Sequence, residues 1–290
     1  MKAELVLDCR NGLGESIVWD PRTREVRWVN IHEGEIWSHH PTSGSTRTQV
    51  MPERVGAIGL RRDGGLVVGL ETGFALLDEQ ADALERLHAV EREFPNTRLN
   101  DGRCDRNGRF ICGSMNGAAD PQALCAVYTL DVDRSVRRVI SGITCANSTC
   151  FSLDGRTMYF SDMPTNTILA YDYDAEHGLP SNPRVFFDGK GCGGLPDGST
   201  VDAEGYLWNA RWGGAQIVRC APDGRVERVV DLPVSNVSCV GFGGDDLETL
   251  YVTTARIELS PDQIVREPTA GSLYAVRAGV RGVPEPFYHG

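Results

Sequence analysis

Short runs in which apolar and polar residues alternate recur along the whole chain, each introduced by an aspartate. They read DPRTREVRWVN from Asp20, DGGLVVGL from Asp63, DRNGRFICG from Asp105, DGRTMYFSD from Asp154, DAEGYLWNA from Asp202 and DLETLYVTT from Asp246. The intervals are 43, 42, 49, 48 and 44 residues, and a second apolar run follows each: EIWSHH, GFALLD, CAVYTLD, ILAYDYD, QIVRC and SLYAV. Alternation with a period of two predicts strands with one buried face. A repeat of this length carrying several short strands predicts a propeller blade, whereas leucine-rich, ankyrin and tetratricopeptide repeats are shorter. The expected fold is therefore all-β, a six-bladed β-propeller with four-stranded blades around a central channel, residues 1–290 forming a single domain. One stretch, DEQADALERLHAVEREF, reads either as a brief helix or as an outer strand with a charged loop. Closing the ring requires the ends to meet, with AELVLDC lying beside SLYAV or EPFYHG.

In such a blade the first strand lines the channel and runs into the repeat aspartate. Five residues before the six aspartates stand Glu15, Ile58, Asn100, Thr149, Asp197 and Gly241; seven before stand Leu13, Gly56, Arg98, Asn147, Leu195 and Cys239. Positions two apart share a face of a strand, and equivalent positions in a ring converge on its axis. Glu15, Arg98, Asn100, Asn147 and Asp197 should thus meet at one end of the channel. Two carboxylates and an amide oxygen form a hard donor set suited to a divalent cation. An arginine and an asparagine beside them can orient an oxygen-rich ligand. The alternative is that water-filled channels collect polar residues anyway, and that Asp197 in LPDGS is only a turn residue.

Composition narrows the partners. Forty acidic against 29 basic residues leave a net charge of −11, which disfavours nucleic acid and anionic membranes. The N-terminal MKAELVLDCRNGLG lacks a signal-like apolar run and no segment is long enough to span a bilayer, so a soluble, cytoplasmic location is expected. Nothing in the pattern signals oligomerisation, and the chain is read as a monomer. Nine cysteines, odd in number and without a CxxC pair, argue against a disulfide framework or zinc knuckle and for buried small hydrophobes.

Several segments resemble the gluconolactonase and regucalcin family, six-bladed propellers that hydrolyse sugar lactones with one divalent metal: LGESIVWD, NTRLNDGRCDRNGRF, CANSTCFSLDGRTMYFSD, LPDGSTVDAEGYLWNARWGG and FGGDDLETLYVTTAR. The resemblance implies metal ligation by Glu15, Asn147 and Asp197, with Asp197 also the general base. It implies substrate binding by Arg98 and Asn100, with Asp101 either binding substrate or orienting Arg98 and the strand, and it makes Met115 a pocket wall. The cofactor would be one divalent ion, with calcium, zinc, manganese, magnesium and iron(II) all admissible, and the ligand a small sugar lactone. Departures from the family pattern include Ser148 where glycine is common after the asparagine, and the glycine-rich GKGCGGLPDG before Asp197, in which Cys192 is read as a buried or rim thiol, the alternative being a contact near the site. His32, His39 and His40 are read as solvated or packing residues. No GxSxG elbow occurs and no histidine falls in the channel phase, so a serine-hydrolase mechanism is not expected. The rival functions are a metal-binding regulator without turnover, a scaffold for protein partners, and an organophosphate hydrolase.

Overall fold

The computed structural model describes all 290 residues, and they form six four-stranded antiparallel sheets. The innermost strands are Gly14–Asp20, Val55–Leu60, Thr97–Cys104, Ala146–Phe151, Leu195–Val201 and Val237–Gly243, one per blade in chain order. The ring closes by one of the two expected pairings: Glu4–Leu7 lies antiparallel to Leu273–Arg277, the SLYAV run, and completes blade six. The ambiguous stretch is an outer strand, Ala83–Ala89, exposed except for the half-buried Leu84 and Leu87. The α-helix Pro261–Arg266 was not anticipated; it sits in the blade-six insertion and begins with a capping box between Ser260 and Gln263.

The repeat aspartates explain themselves. Asp20, Asp105, Asp154, Asp202 and Asp246 each accept a backbone N–H two residues on, closing the hairpin that joins the first and second strands. Asp105 and Asp202 go further and reach buried partners, Tyr173 Oη and Trp208 Nε1, each at 2.8 Å. The aspartate is thus a turn device, and its spacing marks where each inner strand ends.

No single central core exists. Six apolar clusters occupy the six blade interfaces, for example Val18, Val29 and Ile36 of blade one against Ile58, Val68 and Leu77 of blade two. Six of the nine cysteines are buried in these layers and all nine are free thiols, as expected of small hydrophobes. The segment after the last blade crosses the channel mouth where the inner strands end. Its Tyr288 is fully buried and bonded to Leu60, while Glu285 pairs with Arg103 from blade three. That strap closes one end and leaves the channel open at the other. No helix is long and apolar enough to cross a membrane.

Candidate active site

Every inner strand carries a register break near its open end, falling between Glu15 and Val18, Leu99 and Gly102, Asn147 and Cys150, and Pro196 and Ser199 in blades one, three, four and five. Such bulges re-aim side chains. Glu15 and Asn147 are the last paired residues before their bulges, whereas Asn100 and Asp197 are the first residues within theirs. All four therefore turn inward although they do not share one strict alternation. The residues after Glu15 and Asn147 take left-handed backbone, with φ of 50° at Ser16 and 62° at Ser148, a conformation that glycine adopts without cost. Serine is retained because its hydroxyl works: Ser16 Oγ accepts Ile58 N–H at 2.8 Å, and Ser148 Oγ donates to Asp197 O at 2.7 Å. These bonds tie adjacent inner strands together at the level of the site.

The open end holds a cavity of about 300 Å³. Glu15, Arg98, Asn100, Asn147 and Asp197 all line it, as do Met115 and the exposed His32. His39 and His40 lie away from it, bonded to Thr46 and Ser43. Asp101 does not reach the wall: its carboxylate is turned to the neighbouring inner strand, accepting Thr149 N–H at 2.7 Å. Of the two roles expected of Asp101, substrate contact and orientation of Arg98 and the strand, its position fits the bracing of a strand, because the bulge that turns Asn100 inward turns Asp101 sideways. Cys192 packs against the blade-four and blade-five core rather than lining the cavity.

The polar groups form one chain. Arg98 Nη1 donates to Leu99 O at 3.1 Å and to Asn100 Oδ1 at 2.6 Å, and Asn100 Nδ2 donates to Asn147 Oδ1 at 3.2 Å and to Ala146 O at 2.9 Å. Arg98 is 6% exposed and makes no ion pair; burial pushes its guanidinium down to about 10. Glu15 and Asp197 are similarly buried and are close enough for each carboxylate to act on the other. Burial, and then the Asp101 carboxylate, push Glu15 up to about 7; burial, and then the Glu15 and Asp101 carboxylates, push Asp197 well above the usual range. A pair of buried carboxylates with no cation bonded to it, next to an amide oxygen, fits a hard divalent ion. No group of three or more His, Cys, Asp or Glu side chains is placed to hold a metal ion; the third donor available is the Asn147 amide.

A pH dependence follows for the metal-free protein. Folding favours protonated Glu15, so its stabilisation is complete below the ordinary value of 4.5 and is lost as pH rises through about 7. Glu15→Gln has no such charge to desolvate. In a chelator its melting temperature should match wild type near pH 5 and exceed it by several degrees near pH 8, a gap of about 1–3 kcal/mol. A gap that does not change with pH would contradict the burial of an ionised pair.

Fold and site together are those of a six-bladed propeller with a concave, acid-floored site of small-molecule size at one end of its channel. Residues 13–256 match the family described as SMP-30/Gluconolactonase/LRE-like region, and the chain belongs to that family. It is 38% identical to L-arabinolactonase of Azospirillum brasilense, across 100% of this chain and 96% of that protein. It is 34% identical to 6-deoxy-6-sulfogluconolactonase of Pseudomonas putida, across 96% and 95% of the two chains. Among solved structures it resembles a calcium-binding regucalcin of Agrobacterium tumefaciens, with a TM-score of 0.93 and 33% identity over 98% of this chain and 96% of that one.

Sequence reasoning missed Arg54, Cys145, Met163, Trp212, Ile257 and Glu258, all of which line the cavity. A signal was present. His32, Met115, Met163, Trp212 and Ile257 stand nine to twelve residues after their repeat aspartates, where each second strand ends at the cavity rim.

Proposed function

We propose that the cavity opens a sugar lactone to its aldonic acid. The chain is a lactone-hydrolysing enzyme on this reading, supported by full-length relatives that are named lactonases. The observation that carries it is the meeting of a buried Glu15–Asp197 pair with the unpaired, buried Arg98 in one cavity. A lactone carbonyl is already electrophilic, so catalysis consists of holding it, polarising it and delivering water in the right line. A divalent cation held by Glu15, Asn147 and Asp197 would supply Lewis-acid polarisation and a more acidic water.

The remaining work falls to the chain. Arg98 has Nη2 and Nε free of other bonds and presents them to ring and hydroxyl oxygens; Asn100 fixes Arg98 on one side and Asn147 on the other. Asp197 accepts the proton of the attacking water on its carboxylate, which its raised affinity for protons suits, and returns it as the ring C–O bond breaks. The product carries a new carboxylate and a new hydroxyl. Arg98→Ala should raise KM about tenfold or more for hydroxylated lactones and leave bare γ-butyrolactone little changed. Equal effects on both would remove Arg98 from hydroxyl recognition.

The test of the reading is acid release at constant pH from pentono- and hexono-lactones, in 1,4- and 1,5-ring forms, corrected for spontaneous opening. Acceleration of any of them supports it, and none with metal-loaded protein rejects it. The likeness to a calcium-binding regucalcin favours a second reading, a metal-binding propeller without turnover. On that reading this chain would bind a divalent ion at Glu15, Asn147 and Asp197 and open no lactone.

A further inference from the structure

The cavity wall has two kinds of surface. Polar groups come from every side, His32, Arg54 and Arg98 from blades one to three and Asn147, Asp197 and Glu258 from blades four to six; of the apolar ones, Leu13 and Met115 belong to blades one and three, while Met163, Trp212 and Ile257 belong to blades four to six. A sugar lactone also has two, with hydroxyls around its edge and C–H bonds on its faces. The half-buried Trp212 ends the second strand of blade five, and its Nε1–H donates to Glu258 Oε2 of blade six at 3.3 Å. The polar edge of the indole is therefore taken, and what it offers the cavity is carbon.

The backbone beneath this tryptophan is unusually well held. Arg211, fully buried, donates to Gly193 O at 3.0 Å, Gly194 O at 2.6 Å and Asn166 Oδ1 at 2.8 Å. The glycine-rich approach to Asp197 packs backbone to backbone against the turn after Trp212. A Cβ on Gly194, whose φ is +69°, would stand 2.3 Å from Trp212 O, and one on Gly214 would stand 2.5 Å from Gly193 O. The glycines of GKGCGG thus let one loop position both Asp197 and Trp212, and Arg211 staples that loop with two bonds while a third ties it to Asn166. A buried guanidinium engaged only with neutral oxygens is a costly staple, and it serves a surface that must not move.

We infer that Trp212 is the platform against which the C–H face of the sugar lactone lies, and that Arg211 is the residue that positions it. This rests on the lactonase reading. Dispersion contact with a fixed aromatic surface is gained only by a ring face free of hydroxyls. The platform therefore selects lactones whose hydroxyls leave one face open, and discriminates between epimers that the oxygen-binding groups alone accept.

The test compares wild type, Trp212→Ala, Trp212→Phe and Arg211→Lys, each with its metal content measured. For the preferred aldonolactone, Trp212→Ala should raise KM about tenfold or more with kcat within about threefold, and flatten the preference between epimeric lactones. Trp212→Phe should recover most of the loss, and Arg211→Lys should show the same KM-weighted defect. Calorimetric binding of the matching aldonolactam, which keeps the ring and resists opening, should weaken in parallel. A Trp212→Ala enzyme with unchanged KM and unchanged lactam affinity overturns the platform while leaving the lactonase intact. Absent hydrolysis by wild type rejects the lactonase reading instead, and lactam binding then decides the platform alone: weakened by Trp212→Ala, it stands; undetectable in wild type or unaltered by the change, it falls.

Discussion

Replacing Asp197 by asparagine lowers kcat by about 10²–10⁴-fold on every lactone that the wild-type protein opens, the range expected for removal of a general base. The fold survives the change for a specific reason. The bonds that hold this residue in its bulge are made by its main chain, whose carbonyl accepts Ser148 Oγ at 2.7 Å and Asn209 Nδ2 at 2.9 Å. The carboxylate itself is a burden to the metal-free protein, since burial and the charges of Glu15 and Asp101 oppose its ionisation. Asparagine removes that burden while keeping shape and one oxygen. The melting temperature of the stripped variant should equal or exceed that of stripped wild type. Wild-type-like turnover by Asp197→Asn would remove this residue from the role of base.

The second large effect is on metal retention. Glu15→Gln halves the formal carboxylate charge available, leaving Asp197 as the only anionic donor, and affinity for divalent ions depends steeply on ligand charge. The dissociation constant should rise by about 100-fold or more for hard ions. Glutamine can still accept Ser16 N–H, as Glu15 Oε2 does at 3.0 Å, so the bulge is preserved. Calorimetric titration of the stripped proteins measures this without reference to activity. An unchanged constant would place the ion, if one binds, on other residues.

Much of the site was legible because the repeat aspartates are hairpin-closing groups at a constant distance from the channel floor. Counting back from Asp20, Asp105, Asp154 and Asp202 found Glu15, Arg98, Asn100, Asn147 and Asp197, and the structure brings all five to one cavity. Counting by twos fails only locally. The bulges put Glu15 and Asn147 in one register and Asn100 and Asp197 in the next, which is why Asp101, beside a cavity residue, braces Thr149 instead. A bulge adds one residue without altering composition, so nothing in NDGRCD announces it. Ser148 shows the converse, a departure from the family pattern whose left-handed backbone and bond to Asp197 explain both why glycine suits the position and why serine is tolerated.

The rim was harder to read. Arg54, 42% exposed and paired with Glu71, precedes its inner strand, and Glu258 lies in the blade-six insertion, outside the repeat. Trp212 carried the repeat phase, yet a tryptophan at a strand end reads equally as packing. Only the ring arrangement places it beside Asp197, along with the glycine loop that otherwise has no counterpart in the other blades.

We propose that one divalent ion, held by Glu15, Asn147 and Asp197, is required for lactone opening. Its most direct test strips the protein with a chelator and follows acid release from the best lactone while a single divalent metal is restored stepwise. Activity should return in proportion to bound metal and saturate at one ion per chain, with Asp197→Asn remaining slow at full occupancy. Undiminished hydrolysis by stripped protein, or a chain that binds one ion and opens no lactone, would contradict it.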